Sequence, residues 1–435
     1  MENNKKVSVR ALALDVLTKC EAGGYSNIAL DTAIKRNGLS GSDRALLTTL
    51  VYGVIERKIT LDYIISSLST IPNSKIESDT RNLLRMGLYQ LNYMEKIPAH
   101  AALNETVSLA NKRSKGFVNA ILRNYLRQGD RIAFPPKADS VRYLSVVYSV
   151  GEELVEKLLA CYSFDECENI LSSFGEITPI TLRVNNLKTT REELIRELDN
   201  STITRYSPDG IIVENAAISE LEALSDGRVT VQDEASQICV RALDAKKGEL
   251  VLDVCACPGS KSFGAAMTMQ NEGKILAFDI HENKLSLVRN GAERLGISII
   301  STEAHDARDP ISELFGKADK IICDVPCSGF GVIAKKPELR YKNPLESARL
   351  PEIQFDILTN VSKYLKVGGT LVYSTCTILP DENEGVIEKF LAQNDDFSLV
   401  PFSVGDLEAK HGMITLLPHV HRTDGFFIGK LTKNR

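Results

Sequence analysis

Several features that mark other classes of protein are missing from this sequence of 435 residues. No run approaches the roughly 18 consecutive apolar residues that a membrane-spanning helix requires, and no apolar signal-peptide core follows the opening MENNKKVSVR. Internal repeats and low-complexity tracts are also missing. We therefore expect a cytoplasmic globular protein, and at about 100 to 200 residues per domain the length predicts two to four domains.

The nine cysteines follow none of the common patterns for disulfides or zinc sites. Their number is odd and they are scattered over a long chain, whereas a disulfide framework has paired, closely spaced cysteines. The C-x-C and C-x-x-x-C spacings of the C-terminal half match no common zinc pattern, and no histidine lies beside them. We predict no metal site, and we interpret Cys20, Cys161, Cys167, Cys239 and Cys323 as small hydrophobic residues.

Charge is distributed unevenly along the chain. Residues 1–140 carry a net charge of +7 and the remainder carries −12, which gives the total of −5. A basic N-terminal part on an acidic body is typical of a protein that holds a polyanion through its first part. An ordinary solvated helical surface explains the same charges equally well.

Hydrophobic periodicity divides the chain into three predicted regions. Residues 1–135 have apolar side chains at three- and four-residue spacing, which predicts an all-α domain with N-caps at Ser42 and Asn104. Residues 136–228 run from a proline-bearing break through a helical connector into a small α+β domain with the strands ITLRVN and GIIVEN. Residues 229–435 alternate strand-like runs with helical patterns, which predicts an α/β domain with a doubly wound, Rossmann-like parallel sheet.

The stretch ELVLDVCACPGSKSFGAAM predicts a strand, a tight loop and a helix that opens near Lys261. Such a loop directs backbone N–H groups and the positive end of the helix at an anionic group. The loop has no G-x-G-x-x-G, and it is not a P-loop because Ser260 separates Gly259 from the lysine. Neither a pyrophosphate nor a triphosphate site is therefore predicted.

Acidic residues follow successive predicted strands. Asp279 comes 20 residues after Gly259, which is where an acid that binds ribose hydroxyls belongs in this type of fold. Asp306 and Asp324 follow the next two strands. A nucleoside carried on a small carboxylate fits this series, and S-adenosylmethionine is the candidate cofactor. Helix capping explains any single aspartate as well, but it explains the series less well.

Cys327 and Cys376 each follow an apolar strand, in KIICDVPCSGFG and GGTLVYSTCTILP. Carbon 5 of a pyrimidine is too poor a nucleophile to take a methyl group unaided, and a thiolate that adds to carbon 6 overcomes this. The residues alone leave open which thiol would attack. Asp324 would accept a hydrogen bond from the amine of cytosine but would face an acceptor on uracil, which favours cytosine.

Three basic residues, Lys335, Lys336 and Arg340, follow the glycines after Cys327. We predict that they neutralise backbone phosphates of a nucleic acid. For each of the lysines taken alone, solvated surface is the alternative interpretation.

The motifs DVCACPGSKS, AFDI, HDAR, CDVPCSGFGVIAKKPELRY and YSTCTILPDENEGVI together resemble the RNA cytosine-C5 methyltransferases that use S-adenosylmethionine. The segments DRALLTTLVYGVIERKITLDYII and NETVSLANKRSKGFVNAILRNYLR resemble the helical RNA-binding domain of the antitermination factor NusB. Their fusion in one chain resembles the bacterial Sun or RsmB type. The resemblance implies a NusB-like domain over residues 1–135 and a methyltransferase domain over residues 229–435.

The resemblance also implies a role for each site residue. Cys376, of the Thr-Cys motif, would be the nucleophile, and Cys327, of the Pro-Cys motif, would assist release of the methylated product. Lys261 and Asp324 would face the target base. The implied cofactor-binding residues are Cys255, Ala256, Cys257, Pro258, Gly259, Ser260, Lys261, Asp279, Asp306 and Asp324.

The chain departs from the family pattern at one position of the cofactor loop. The family usually has Ala-Pro-Gly-Gly-Lys where this chain has Cys257-Pro258-Gly259-Ser260-Lys261. Serine is slightly bulkier than glycine where the backbone approaches the cofactor, so we expect a different affinity for the cofactor. If position 260 requires a positive φ, the serine is also strained there.

The implied partner is 16S ribosomal RNA, either naked or in an early small-subunit assembly intermediate, with no membrane and no DNA. Two other functions remain open at this point. One is a non-catalytic RNA-binding or antitermination factor, against which the presence of Lys261, Asp324, Cys327 and Cys376 argues. The other is a methyltransferase that acts on DNA or transfer RNA.

Overall fold

The computed structural model describes residues 8–24, 26–176, 179–214 and 221–435. These residues form two compact units. The first consists of the described residues up to Gly175 together with Lys336–Asn343, and the second consists of the described residues of 176–335 with Pro344–Arg435. Residues 177–178 and 215–220 of the predicted middle region lie outside the described residues. Within the described ranges no helix is long and apolar enough to cross a bilayer.

The first unit is built from helices, as predicted. They are α1 (Val9–Glu21), α2 (Ser26–Arg36), α3 (Gly41–Glu56), α4 (Lys58–Leu68), α5 (Ser78–Tyr93), α6 (Ala99–Leu109), α7 (Lys115–Gln128), α8 (Ser140–Tyr148), α9 (Glu152–Leu159) and α10 (Phe164–Ser173). The apolar faces of α1 to α7 share one core. Both predicted N-caps are wrong: Ser42 and Asn104 lie inside α3 and α6, because each helix begins earlier than its apolar pattern indicates.

The segment Lys336–Asn343 is anchored in the first unit by buried polar contacts. Arg340 is 2% exposed, and its guanidinium donates to the carbonyl oxygens of Tyr148, at 3.1 Å, and Phe174. The prediction that Arg340 neutralises an RNA phosphate is therefore wrong, because the helical unit already surrounds its charge.

The hydroxyl of Tyr341 extends this anchor to the junction between α3 and α4. It donates to the carbonyl of Ile55, accepts from the backbone N–H of Lys58 at 3.1 Å, and lies 2.9 Å from the hydroxyl of Ser149. The carbonyl and the N–H belong to helix ends, where such groups lack the regular hydrogen bond between residues four apart. Tyr341 thus satisfies backbone groups of two helices with one side chain.

A small α+β layer opens the second unit. Its elements are β1 (Ile180–Val184), α11 (Arg191–Glu197), β2 (Ser201–Ile203), β3 (Gly210–Val213), α12 (Glu222–Ser225) and β4 (Val229–Val231). The strands pair antiparallel in the order β2-β3-β1-β4. Helix α11 begins with a capping box, in which Thr190 and Glu193 satisfy each other's backbone N–H groups.

A large sheet and its helices follow. The elements are α13 (Glu234–Leu243), β5 (Leu250–Asp253), α14 (Ser260–Thr268), β6 (Lys274–Asp279), α15 (Glu282–Leu295), β7 (Ile300–Ala304), β8 (Ala318–Asp324), α16 (Leu350–Val361), β9 (Leu365–Thr375), α17 (Glu384–Leu391), β10 (Phe397–Leu399), β11 (Phe402–Val404), β12 (Leu407–Ala409), β13 (Met413–Leu416), α18 (Pro418–His421) and β14 (Phe426–Lys433). The strand order is β10-β14-β9-β8-β5-β6-β7, with β13 paired to β14. A hairpin of β11 and β12 stands apart from the sheet.

Parallel pairing of the central strands positions the functional site. Strands β9, β8, β5, β6 and β7 are parallel, so their carboxyl ends lie along one edge of the sheet. Apolar clusters cover both faces of the sheet. The predicted Rossmann-like architecture is confirmed, and ligands of such sheets bind at this edge.

Asp253, the last residue of β5, joins the sheet to α14. It is 1% exposed, and one of its carboxyl oxygens accepts from the hydroxyl of Ser262 at 2.5 Å. Its other oxygen has no hydrogen-bond partner within the described residues. Burial raises the pKa of Asp253 to about 7, because the charged form would lose its hydration.

We predict that Asp253→Asn changes how stability depends on pH. In the unfolded chain this carboxyl ionises near pH 3.9, whereas in the folded protein it keeps its proton up to about pH 7. Between those values only the unfolded state loses the proton, so Asp253 lowers the free energy of unfolding as the pH rises from about 4 to 7. Urea unfolding should show the variant gaining about 2 to 4 kcal/mol relative to wild type over that range. Exposed Asp199→Asn is the control, and a difference between Asp253→Asn and wild type that is constant with pH would contradict the prediction.

We also predict that Tyr341→Phe lowers the free energy of unfolding by about 1 to 3 kcal/mol, because half-buried backbone groups at two helix ends lose this partner. Tyr63→Phe is the matched control, since the Tyr63 hydroxyl bonds the Ala133 carbonyl at 2.7 Å in an exposed position where water can replace it. Chemical denaturation of both variants checks this. Equal effects from the two would show that the buried anchor contributes nothing particular.

Candidate active site

A cavity of about 420 Å³ opens at the carboxyl edge of the parallel strands. The turns that follow β5, β6, β7, β8 and β9 all contribute to its wall. The predicted site residues that line it are Cys255, Cys257, Asp279, Asp306, Asp324, Cys327 and Cys376. The structure thus brings together side chains that lie more than 100 residues apart in the sequence.

The thiols of Cys327 and Cys376 are neighbours in this wall. Their Sγ atoms lie 3.1 Å apart, and the backbone N–H of Cys376 approaches the Cys327 sulfur at 3.3 Å. The contact with the Cys376 thiol, burial and the nearby Glu382 carboxylate all raise the pKa of Cys327 well above its ordinary value. Cys327 therefore keeps its proton at neutral pH, and it is a poor nucleophile in this arrangement.

Asp324 and Lys261 form a buried ion pair beside the thiols. The Lys261 side chain is 8% exposed, and its Nζ donates to Asp324 Oδ2 at 2.7 Å. Burial opposes the charge on Lys261, but the neighbouring acidic groups, Asp324 foremost, together outweigh burial and raise the pKa of the lysine. The other oxygen of Asp324 accepts from the Ser374 hydroxyl at 2.6 Å. A carboxylate has about four acceptor positions, so Asp324 retains the capacity to bind a base.

Gly259 provides the sharp turn of the loop between β5 and α14. Its φ is +110°, and a Cβ at this position would lie 2.5 Å from the ring of Phe263. Ser260 is the first residue of α14, and its carbonyl accepts from the Gln232 amide at 3.2 Å. The positive φ belongs to Gly259, so the strain considered for Ser260 does not arise.

The rest of this loop is divided between two surfaces. Cys255 and Cys257 face the cavity, whereas Pro258 and Ser260 line a separate open cleft beside Phe263. Ala256 is 6% exposed and packs into the core. Ala256, Pro258, Gly259, Ser260 and Lys261 are absent from the described cavity wall. Lys261 contacts the cavity wall through Asp324, and a cofactor-binding role for the other four residues stays a prediction.

Asp279 is held at the end of β6 by backbone groups. Its two oxygens accept from the N–H groups of Cys257, at 3.2 Å, and His281, at 2.9 Å. Asp306 lies across the cavity and pairs with Arg308 at 2.5 Å, which lowers the pKa of Asp306. An oriented carboxylate in a largely apolar cavity of this size suits a nucleoside, with Asp279 as the acceptor for ribose hydroxyls.

Lys335 already forms ion pairs with two aspartates of the second unit. Its ammonium lies 2.5 Å from an oxygen of Asp233 and 2.8 Å from an oxygen of Asp424. The predicted contact with RNA phosphates would have to compete with these two carboxylates. Lys336 is exposed, and its predicted role stays a prediction.

Three residues near the thiols, Ser374, Glu382 and Asn383, are not predicted from the sequence. Ser374 lies two positions before Cys376, and only the strand register places it opposite Asp324. Glu382 and Asn383 belong to the quoted PDENEG run, but a sequence does not show that these two residues of the run are buried next to the thiol-bearing turns. What could have pointed to Glu382 and Asn383 is their position shortly after the Thr-Cys motif in the sequence.

Comparison with known proteins agrees with this architecture. Family models match residues 7–127 as NusB family, residues 152–219 as the ferredoxin-like domain of RsmF/B-like methyltransferases, and residues 240–432 as 16S rRNA methyltransferase RsmB/F. The crystal structure of the protein PH0851 aligns over 98% of both chains with a TM-score of 0.79 and 27% identity.

Two curated relatives match over almost their whole length. A Bacillus subtilis protein named "Probable ribosomal RNA small subunit methyltransferase B" is 41% identical over 99% of both chains. The Escherichia coli protein named "Ribosomal RNA small subunit methyltransferase B" is 33% identical, also over 99% of both chains. The chain therefore belongs to the RsmB/F family of S-adenosylmethionine-dependent rRNA methyltransferases, and it carries the NusB and ferredoxin-like domains of that family ahead of the methyltransferase domain.

Proposed function

We propose that this protein methylates carbon 5 of a specific cytosine in 16S ribosomal RNA, through a covalent bond between Cys376 and carbon 6 of the base. The observation that carries the proposal is the pair of thiols 3.1 Å apart beside the Lys261–Asp324 pair. Transfer of a methyl group to a nitrogen or oxygen atom needs no thiol, whereas transfer to carbon 5 needs one thiolate to activate the base.

S-adenosylmethionine, when bound, supplies an electrophilic methyl group. Asp279 binds its ribose hydroxyls, and the cavity walls at Cys255, Cys257 and Asp306 surround the rest. Asp324 accepts from the amine of the cytosine while its Oδ2 stays paired with the Lys261 ammonium. The base is thereby held with its carbon 6 toward Cys376.

The two cysteines then divide the reaction between them. The Cys376 thiolate adds to carbon 6, and the electron pair displaced from the 5,6 double bond makes carbon 5 nucleophilic. Carbon 5 then bonds the methyl group while the bond between that group and the sulfonium sulfur breaks, which leaves S-adenosylhomocysteine. The proton on carbon 5 then passes to solvent water, and the electrons of that C–H bond restore the 5,6 double bond. The bond between Cys376 Sγ and carbon 6 breaks, and its electron pair returns to the sulfur. Cys327 assists this release, which is consistent with its protonated state and its distance of 3.1 Å from the leaving sulfur.

The N-terminal domain would hold the RNA. Its net charge of +7 over residues 1–140 offsets the charge of a phosphate backbone. We propose functional divisions near residues 135 and 228, with the first two parts binding RNA and residues 229–435 carrying out methyl transfer. The substrate would be 16S rRNA, naked or in an early assembly intermediate, and the reaction would take place in the cytoplasm.

The direct test uses the purified protein, S-adenosylmethionine with a labelled methyl group, and unmodified 16S rRNA. After digestion to nucleosides, mass spectrometry should find the label in 5-methylcytidine. Label in another nucleoside, or no label with either naked RNA or small-subunit particles, would overturn the proposal. Unlabelled transfer RNA and DNA added as competitors distinguish the other nucleic acids.

Substitution of the cysteines should have asymmetric effects. Cys376→Ala should abolish methylation and form no covalent complex, because the attacking sulfur is gone. Cys327→Ala should accumulate an RNA–protein adduct that survives denaturing electrophoresis, because attack continues while release is slow. Cys161→Ala controls for the loss of one thiol outside the cavity. An adduct that accumulates in Cys376→Ala instead would reverse the two roles.

Asp279→Asn should weaken cofactor binding without RNA present. Loss of a charged hydrogen-bond acceptor to the ribose costs about 1.5 to 3 kcal/mol, which is roughly a 10- to 100-fold rise in Kd. Isothermal titration with S-adenosylmethionine measures this, with exposed Glu293→Gln on α15 as the control. An unchanged Kd would remove Asp279 from the cofactor site.

A further inference from the structure

Two buried residues follow the Thr-Cys turn and have no part in the steps above. Glu382 is 3% exposed and Asn383 is fully buried. Neither lines the described cavity, so neither touches a bound base or cofactor there. A buried carboxylate costs stability unless it is well partnered, and the partners of Glu382 are therefore informative.

The partners of Glu382 flank Cys327 on both sides. One oxygen of Glu382 accepts from the backbone N–H of Ser328 at 2.9 Å and from the Gln354 side-chain amide at 2.9 Å. The same amide nitrogen of Gln354 donates to the carbonyl of Pro326, also at 2.9 Å. Ser328, directly after Cys327, is therefore bonded to the Glu382 carboxylate itself. Pro326, directly before Cys327, is connected to the same carboxylate through Gln354 of α16.

The partners of Asn383 flank Cys376 in the same way. Its amide oxygen accepts from the Thr375 hydroxyl at 2.5 Å, and its amide nitrogen donates to the Thr377 carbonyl at 3.1 Å. A hydrogen bond of 2.8 Å between the hydroxyls of Ser328 and Thr377 closes the connection between the two turns. Two adjacent residues therefore hold the chain on both sides of both thiols.

We propose that Glu382 and Asn383 are positioning residues, which set the distance between the Cys327 and Cys376 sulfurs so that both face one target base. The inference rests on the proposed function for its consequence in catalysis, but the spacing itself is a property of the protein without RNA. The charge of Glu382 has a second effect, because it contributes to the raised pKa of Cys327 and so disfavours a thiolate there.

Binding of phenylarsine oxide tests the distance between the Cys327 and Cys376 sulfurs, and it needs neither RNA nor cofactor. Its single arsenic atom bonds both sulfurs, with release of one water that takes the two thiol protons and the arsenical oxygen. Mass spectrometry and titration should show one bridging arsenical that is present in wild type and absent in Cys327→Ala. Glu382→Ala should bind it at least 10-fold more weakly, because the Pro-Cys turn loses its anchor. Exposed Glu388→Ala on α17 is the matched control and should bind as wild type does.

A second set of variants shows whether weaker arsenical binding comes from a displaced thiol, from the lost charge of Glu382 or from a loss of folding. Glu382→Gln retains an oxygen that can accept from Ser328 and Gln354, so it should recover most of the arsenical affinity. Ser328→Ala removes the hydroxyl bond between the turns with little change in volume, and it should weaken arsenical binding by a smaller factor. In methylation assays Glu382→Ala should lower kcat by about 10- to 100-fold, since small misplacements of reacting groups have effects of this size. Its Kd for S-adenosylmethionine should match wild type, which also shows that the variant is folded.

The outcomes separate the positioning role from the reaction. Wild-type arsenical affinity in both Glu382→Ala and Ser328→Ala would overturn the proposal. Equal losses in Glu382→Ala and Glu382→Gln would assign the effect to charge and would also overturn it. The affinities of the variants for phenylarsine oxide can follow the expected order while wild type forms no 5-methylcytidine. In that case the positioning role stands and the proposed function fails.

Discussion

The parallel pairing of β8 with β9 is the constraint on which the site depends. Asp324 pairs in register with Ser374, so the turns that leave both strands begin side by side. Backbone hydrogen bonds continue past the strands, from Val325 N–H to the Ser374 carbonyl at 3.1 Å and from Gly331 N–H to the Cys376 carbonyl at 2.9 Å. A register shift of one residue would turn these side chains to the other face of the sheet and separate the thiols.

Burial of charge at this edge explains several of the other features. Lys261 and Asp324 neutralise each other at 2.7 Å, whereas Asp253, with one hydroxyl partner, takes up a proton near neutral pH. Glu382 is held by a backbone N–H and an amide. An enclosed site strengthens each of these interactions and makes an unpartnered group costly.

Much of the fold followed from periodicity, since the all-α region, the small α+β layer and the parallel sheet each have a distinct apolar pattern. The position of Asp279, Asp324, Cys327 and Cys376 at or just after strand ends also predicted that they lie close together, because parallel strands share one carboxyl edge. All four line the same cavity. Ser374 could not be found in this way, because its role depends on strand register. The burial of Arg340 could not be predicted either, because it comes from helices far away in the sequence. The two cysteine roles came from the family resemblance, and their assignment to residues stays a prediction.

The central claim is that one cytosine of 16S rRNA owes its 5-methyl group to this protein. Bisulfite sequencing of 16S rRNA from a strain without the gene, compared with its parent, tests that claim most directly, because 5-methylcytosine resists the deamination that converts cytosine to uracil. The account predicts one position that reads as cytosine in the parent and as uracil in the deletion strain, and that is restored by the wild-type gene but not by Cys376→Ala. Identical profiles of 16S rRNA in the parent and the deletion strain would contradict it.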